Sequence, residues 1–282
     1  MRWPSLPLPR EDHRRLPGRR IRVEQIRLTP FRPIKLAMRP TILPMATFAL
    51  VHGAWHSAWC WERLTPLLEQ AGHTVVAPEL PNEDGSADFD AYADLVCTAL
   101  RGCDGDVVVV GHSMGGPTAT LVAARRPVRH LVYLCAAVPE SGIGLFDQWH
   151  AQPDMVTREF GEGWLKGLSE PDEQLRTVWV DFDFVRKVFY ADCDEATVAA
   201  AIDHLRPQAG YPWTVPCSLT EHPSLRCTSV VCSEDRIVNP VWSRRTARDI
   251  CADLVELPGS HSPLLSRPSA VADVLLRVAD GN

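Results

Sequence analysis

The chain of 282 residues is 45% hydrophobic and 23% charged, a composition typical of a soluble globular protein with a core of its own. No apolar run approaches the roughly 20 residues needed to cross a bilayer, which argues against a membrane-spanning helix. The net charge of −6 is uneven, because residues 1–44 carry ten Arg, one Lys and three acids, a net +8, and the remainder carries −14.

The N-terminal extension is basic, rich in Pro and without a hydrophobic period, so we predict disorder over residues 1–45. Paired arginines at 14–15 and 19–20 raise the question of an export signal. The segment "IRLTPFRPIKLAMRP" that follows is interrupted by charges and prolines and cannot serve as its apolar region. The acidic remainder argues against nucleic-acid binding. Met45 directly precedes the first strand, so a translation start there would lose no core residue.

Beyond the extension, apolar runs alternate with helical patterns. The runs predict strands over 46–53, 73–80, 106–113, 129–139, 227–233 and 253–259. The helical patterns predict helices over 58–71, 88–100, 113–125, 241–251 and 268–279. Continuous apolar strands alternating with helices predict an α/β protein with a mostly parallel, twisted sheet that has helices on both faces.

Residues 140–222 interrupt this alternation with dispersed tryptophans, acidic turns and helix-like pieces such as "DEATVAAAIDHL". About eighty residues are too many for a loop in a compact domain. We therefore predict a helical cap over 140–222, inserted into a core formed by 46–139 and 223–282.

The nine cysteines are an odd number, scattered without a CxxC pair, and several lie in apolar runs. This usage is typical of a reducing compartment rather than of disulfides or a zinc site, and we expect a cytoplasmic protein. No group of His, Cys and Asp has the spacing of metal ligands, and nothing in the sequence predicts a metal or an organic cofactor.

A serine between glycines, Gly111-His112-Ser113-Met114-Gly115, ends the third strand and begins the next helix. A G-x-S-x-G sequence in this context predicts a nucleophile elbow, a strained turn that lifts the serine hydroxyl above the sheet. A merely tight glycine turn is the alternative. A phosphate-binding loop is disfavoured, because no Lys follows the glycines.

A nucleophilic serine needs a base and a group that orients this base, and in such folds they follow in the order Ser, Asp, His. Asp235 follows one strand in "VVCSEDRIVNP", and His261 follows the next in "LPGSHSPLLSRP". Both loops are expected at the carboxyl edge of the sheet. Glu234 and Glu140 are the rivals of Asp235, and a solvated loop carboxylate is the alternative for all three.

An oxyanion hole needs two backbone N–H groups. Met114 is expected to supply one, since it follows the nucleophile, and Ala54 the other, from the loop "HGAWHSAW" after the first strand. Trp55 in that loop and Trp149 in the insertion are the predicted substrate-binding residues.

Four segments carry a resemblance to the α/β-hydrolase superfamily: "HGAWHSAWCWERLTPLLEQAGHTVVAPELP", "GHSMGG", "SEDRIVNP" and "GSHSPLLSRP". Within it they are most similar to the branch of small plant-type esterases and hydroxynitrile lyases. The resemblance covers about residues 46–280. It implies a sheet derived from eight strands, a helical cap over the site, and a triad of Ser113, Asp235 and His261.

Two departures bear on the reaction that the resemblance implies. Hydroxynitrile lyases of this branch carry a Thr at the position of Gly53. They carry a Lys at the position of Ser262, and that Lys is needed to handle the cyanide leaving group. We therefore expect a serine carboxylesterase acting on a small or medium apolar ester. The alternatives are a lactone, a thioester or a C–C bond as the target of the same triad, or a non-catalytic ligand receptor. The sequence leaves a homodimer open.

Overall fold

The computed structural model describes residues 45–103 and 105–281, so the disorder predicted over residues 1–45 lies outside the described residues except at Met45. The strands are β1 Thr47–Val51, β2 Thr74–Val76, β3 Val107–His112, β4 His130–Leu134, β5 Arg176–Thr177, β6 Gln208–Ala209, β7 Cys227–Cys232 and β8 Asp253–Leu257. The α-helices are α1 Thr65–Gln70, α2 Phe89–Ala99, α3 Gly115–Arg125, α4 Leu145–Ala151, α5 Arg158–Gly163, α6 Phe182–Phe189, α7 Glu195–Asp203, α8 Tyr211–Thr214, α9 Pro240–Asp249, α10 Pro263–Ser266 and α11 Pro268–Asp280. Short 3₁₀ helices cover Ala58–Trp61, Pro153–Met155 and Trp164–Gly167.

The main sheet has the strand order β2-β1-β3-β4-β7-β8, and every neighbouring pair is parallel. All residues of β3, β4 and β7 are buried. Because successive side chains point to opposite faces, both faces of the central strands are covered. β2 and β8 lie at the edges and have exposed residues. The predicted α/β class is confirmed. The resemblance implies a sheet derived from eight strands, whereas the main sheet of the described residues has six.

Three predicted elements differ from their predicted limits: one helix divides in two, and two strands end early. The helix predicted over 58–71 divides into a 3₁₀ turn and α1, and α1 begins with Pro66 in its first turn, where a missing N–H costs nothing. β2 stops before Pro78, and the N–H of Leu80 is donated to the His52 ring instead of a neighbouring strand. β4 stops at Leu134, because Cys135 turns the chain with a φ of 47°.

The segment between β4 and β7 contains α4 to α8 and the antiparallel pair β5–β6. The predicted helix-like piece "DEATVAAAIDHL" is α7, capped by the Asp194 carboxylate, which accepts from the Thr197 N–H. Asp181 caps α6 in the same way. Side-chain oxygens at these positions satisfy N–H groups that the first helical turn leaves unpaired. The insertion is therefore built from short, individually capped helices.

The nine cysteines are all free thiols, and five of them are buried: Cys60, Cys135, Cys217, Cys227 and Cys232. Within the described part of the chain, every helix is too short or too polar to span a bilayer.

Candidate active site

Ser113 lies in a turn between β3 and α3 that requires a glycine on each side. Its φ of 53° is in the left-handed region, which a residue with a side chain occupies at a cost in strain. A Cβ atom on Gly111 would lie 2.7 Å from the Gly115 carbonyl oxygen, and one on Gly115 would lie 2.5 Å from the Val51 oxygen. The two glycines are thus required by the close approach of α3 to β3 and β1, and the predicted strand–turn–helix context is present.

Asp235 and His261 come from the loops after β7 and β8 and form a hydrogen-bonded pair. Nδ1 of His261 lies 3.0 and 2.9 Å from the two carboxylate oxygens of Asp235. The N–H groups of Ile237 and Val238 donate to the same carboxylate at 2.8 and 3.1 Å, which fixes its orientation. Asp235 and His261 are both buried, with 5% and 0% of their surface exposed. A carboxylate bonded to Nδ1 selects the tautomer in which Nε2 is free to accept a proton.

The rival carboxylates do not contact His261. Glu234 is exposed, and its backbone N–H is donated to the Gly259 carbonyl. Glu140 is also exposed, and its carboxylate accepts from Gln152 in the insertion. Of the three acids weighed from the sequence, the structure pairs Asp235 alone with the histidine.

His261 lies beside the turn that carries Ser113. The ring of His112, the residue before Ser113, is 4.9 Å from the His261 ring between centroids, and its Nε2 lies 2.9 Å from the His261 carbonyl oxygen. Nε2 of His261 is buried and has no hydrogen-bond partner among the described residues, Ser113 included. Bonds between a base and its nucleophile often shorten only when a substrate binds. The arrangement therefore leaves the basic nitrogen available at the site.

The two predicted oxyanion donors also lie here, since Ala54 and Met114 line the same cavity as Ser113. Among the described residues, neither backbone N–H is donated to a protein acceptor. A Cβ atom on Gly53 would lie 2.8 Å from Cβ and 3.3 Å from Oγ of Ser113. The loop after β1 thus passes within contact of the serine, and a larger residue at position 53 would press on it.

Three further histidines surround the site, and all are buried and neutral at ordinary pH. Burial lowers the pKa of His52 to about 3 and that of His56 to about 4. Burial also lowers the pKa of His112 well below its ordinary value, and the neighbouring His261 adds to this effect. The sequence analysis assigned no catalytic role to His52, His56 or His112.

The cavity above Ser113 has about 640 Å³ of empty space, including its open mouth, and its lining is almost entirely apolar. Both predicted substrate-binding residues, Trp55 and Trp149, line it. So do several residues that the sequence did not identify as lining: Leu145, Met155, Val156, Phe160, Trp164, Phe189, Ile237 and Val238. Phe160 and Trp164 are four residues apart, a helical spacing that could have indicated one common face.

No three His, Cys, Asp or Glu side chains within residues 45–103 and 105–281 are grouped so that they could share a metal ion. The chemistry that the arrangement offers is that of a serine, a carboxylate-oriented imidazole and two backbone donors.

Comparison with known proteins gives a consistent result. A model of the alpha/beta hydrolase family matches residues 48–274. The chain is similar to a pyrethroid hydrolase of Sphingobium wenxiniae, with 28% identity over 82% of this chain and 86% of that one. It is similar to methylesterase 9 of Arabidopsis thaliana, with 25% identity over 84% and 99%. Among solved structures, a pyrethroid hydrolase from Sphingobium faniae superposes with a TM-score of 0.70 at 24% identity, covering 84% of this chain and 98% of that one, which shows a shared fold.

Proposed function

The chain belongs to the alpha/beta hydrolase family and is an esterase-like hydrolase, and we propose that it is a serine carboxylesterase that cleaves small or medium apolar esters through an acyl-enzyme. The observation that carries this proposal is the His261–Asp235 pair, bonded at 2.9–3.0 Å, beside the left-handed turn of Ser113. The esterase names of several relatives support the same class of reaction.

In the proposed first half-reaction, Oγ of Ser113 attacks the ester carbonyl carbon while Nε2 of His261 removes the hydroxyl proton. Asp235 stabilises the imidazolium that forms. The carbonyl oxygen becomes negatively charged and accepts hydrogen bonds from the N–H groups of Ala54 and Met114, each worth about 3–4 kcal/mol in the transition state. His261 then returns the proton to the leaving alkoxide, and the acyl group stays on Ser113.

In the second half-reaction, His261 removes a proton from water, and the resulting hydroxide attacks the acyl carbon. The same two N–H groups bind the second oxyanion, and the proton returns to Ser113 Oγ as the acid departs. The neutral state of the buried His52, His56 and His112 supports this scheme, because a second positive charge nearby would oppose protonation of His261.

We propose that residues 140–222 act as a cap and that Trp149 and Trp55 bind the apolar part of the substrate. The aromatic lining supports this role, because among the described residues that line the cavity Ser113 alone has a hydroxyl group and none is charged. An apolar pocket that excludes water also strengthens the electrostatic interactions of the oxyanion. Charged acyl groups would lose their hydration there without gaining a partner.

We also propose a cytoplasmic location for the chain. The nine free thiols support it, since extracellular proteins of this cysteine content usually pair them.

The test is hydrolysis of a panel of p-nitrophenyl esters from acetate to phenylacetate, with a lactone and a thioester included. Wild type is expected to turn over the esters, and Ser113→Ala to reduce the rate to background. Ser233→Ala removes an exposed serine hydroxyl near the Asp235 loop and is the matched control, expected to keep the wild-type rate. Equal rates for wild type and Ser113→Ala on every compound would overturn the proposal, and cleavage of the lactone or thioester alone would redirect it to that bond.

A further inference from the structure

The segment from Phe189 to Asp192, at the end of α6, is the part of the insertion that reaches both halves of the candidate site. Tyr190 lies 99% buried, with its hydroxyl 2.8 Å from Nε2 of His56. Asp192 accepts a hydrogen bond from the hydroxyl of Ser260, the residue before His261. Phe189 lines the cavity and packs against the His261 ring at 5.7 Å between centroids. One short segment thus contacts the loop after β1 and the loop after β8.

We propose that this segment is a positioning clamp, in which Tyr190 holds the Ala54 loop through His56, and Asp192 holds the His261 loop through Ser260. The inference rests on the proposed hydrolase function, since it assigns the clamp to the oxyanion donor and the base of that reaction.

The first arm of the clamp has a defined direction of hydrogen bonding. Nδ1 of His56 lies 2.8 Å from the Ala54 carbonyl oxygen, and a carbonyl can only accept, so Nδ1 carries the proton. Burial keeps the pKa of His56 at about 4, so the ring is neutral and its Nε2 must accept. The Tyr190 hydroxyl therefore donates to His56, and His56 donates to Ala54.

The loop needs such support because its backbone is strained. Trp55 has a φ of 57°, in the left-handed region, which a residue with a side chain keeps only where neighbouring contacts hold it there. On the other side of Ala54, Nδ1 of His52 donates to the Gly53 carbonyl oxygen at 3.0 Å. That carbonyl and the Ala54 N–H belong to one trans peptide and point in opposite directions. His52 and His56 therefore fix the two peptide planes that flank Ala54, and Tyr190 fixes His56.

The second arm holds the loop before His261. The Asp192 carboxylate receives the Ser260 hydroxyl on one oxygen and Nε of Arg267 on the other, at 3.3 Å. Gly259 has a φ of 114°, and a Cβ atom there would collide with both Asp192 and Arg267. The loop that carries His261 is thus closed around a carboxylate that the insertion supplies.

The test separates positioning from general stability by double-mutant cycles. Tyr190→Phe keeps the buried ring and removes the hydroxyl. It is expected to lower kcat about tenfold with little change in KM. The loss is smaller than the roughly 10²–10³-fold for removal of an oxyanion donor, because the Ala54 N–H is displaced and not removed. If Tyr190 acts through His56, the double variant Tyr190→Phe/His56→Gln has the kcat of His56→Gln alone. Asp192→Asn and Ser260→Ala form the second cycle, in which the double variant is expected to have the kcat of Ser260→Ala alone. All rates are divided by the number of active sites, which is titrated with a fluorophosphonate.

Matched controls are Tyr211→Phe, which changes a partly exposed tyrosine in α8, and Asp183→Asn, which changes an exposed acid in the first turn of α6. Both are expected to keep the wild-type kcat. The clamp is refuted if Tyr190→Phe and Asp192→Asn both keep kcat within twofold, or if each double variant shows the product of its single effects. If Tyr190→Phe does not fold, the second cycle decides. An inactive wild type would instead refute the proposed hydrolase function.

Discussion

Lowering the pH from 7 to 5 is expected to destabilise the protein strongly, because His52 and His56 are buried in neutral form. Burial holds their pKa values at about 3 and about 4, whereas an unfolded chain binds the proton near pH 6.5. The stability is fully present above about pH 6.5, and it is lost as the pH falls from there towards the folded pKa values, because only the unfolded state takes up protons in this window.

The loss in the free energy of unfolding is set by the pH range over which only the unfolded state binds the protons. Between pH 6.5 and pH 5 each of the two histidines contributes 1.5 pH units at about 1.36 kcal/mol per unit, or about 2 kcal/mol. Together they remove about 4 kcal/mol from a free energy of unfolding that is typically about 5–15 kcal/mol. His112 adds to the loss in the same direction. Hydrogen bonds from Ser86 and Arg245 lower the pKa values of the carboxylates of Asp84 and Asp154, so these two groups act mainly below pH 5.

The assay is urea unfolding followed by tryptophan fluorescence at pH 7, 6 and 5. His56→Gln is expected to be less stable than wild type at pH 7, but to lose about 2 kcal/mol less between pH 7 and pH 5. His150→Gln, which changes an exposed histidine, is the control and should keep the wild-type pH dependence. The reasoning is wrong if His56→Gln and wild type lose the same free energy over this range.

Three further predictions concern the site and its scaffold. Asp235→Asn is expected to lower kcat by about 10⁴-fold with KM little changed, since an amide cannot hold His261 in the required tautomer, and steady-state kinetics measures this. Gly116→Ala would push a Cβ atom into the Ala137 carbonyl, and thermal denaturation should show a lower Tm than for Gly105→Ala, where nothing lies within 4 Å. Trp149→Ala removes part of the apolar lining of the cavity. It is expected to raise KM severalfold for esters that carry a naphthyl group, but little for p-nitrophenyl acetate.

Much of the fold could be predicted from the sequence because the apolar runs of the central strands are long and their helices are well marked. β3 and β7 begin and end within one residue of their predicted limits, and α11 has its predicted start. The errors occur where tertiary contacts decide. The residues after β2 leave the sheet to reach His52, a contact between segments that no local pattern indicates.

The placement of the candidate triad could be predicted, because the chemistry needs a fixed order of residues along the chain. Ser113, Asp235 and His261 each follow a strand, so the parallel sheet brings their loops to one edge. Tyr190 and Asp192 carry no such signal. They lie in an insertion whose short helices have no fixed relation to the sheet, and their partners, His56 and Ser260, are about 70 to 130 residues away in sequence.

The central claim, that Ser113 is a nucleophile activated by His261, is tested most directly by labelling with a fluorophosphonate and measuring the intact mass. We expect one phosphonyl group per chain of wild type, located at Ser113 by peptide mapping, no labelling of Ser113→Ala, and labelling of His261→Ala slowed by several orders of magnitude. Labelling at another residue, or an equal rate in His261→Ala, would contradict the account.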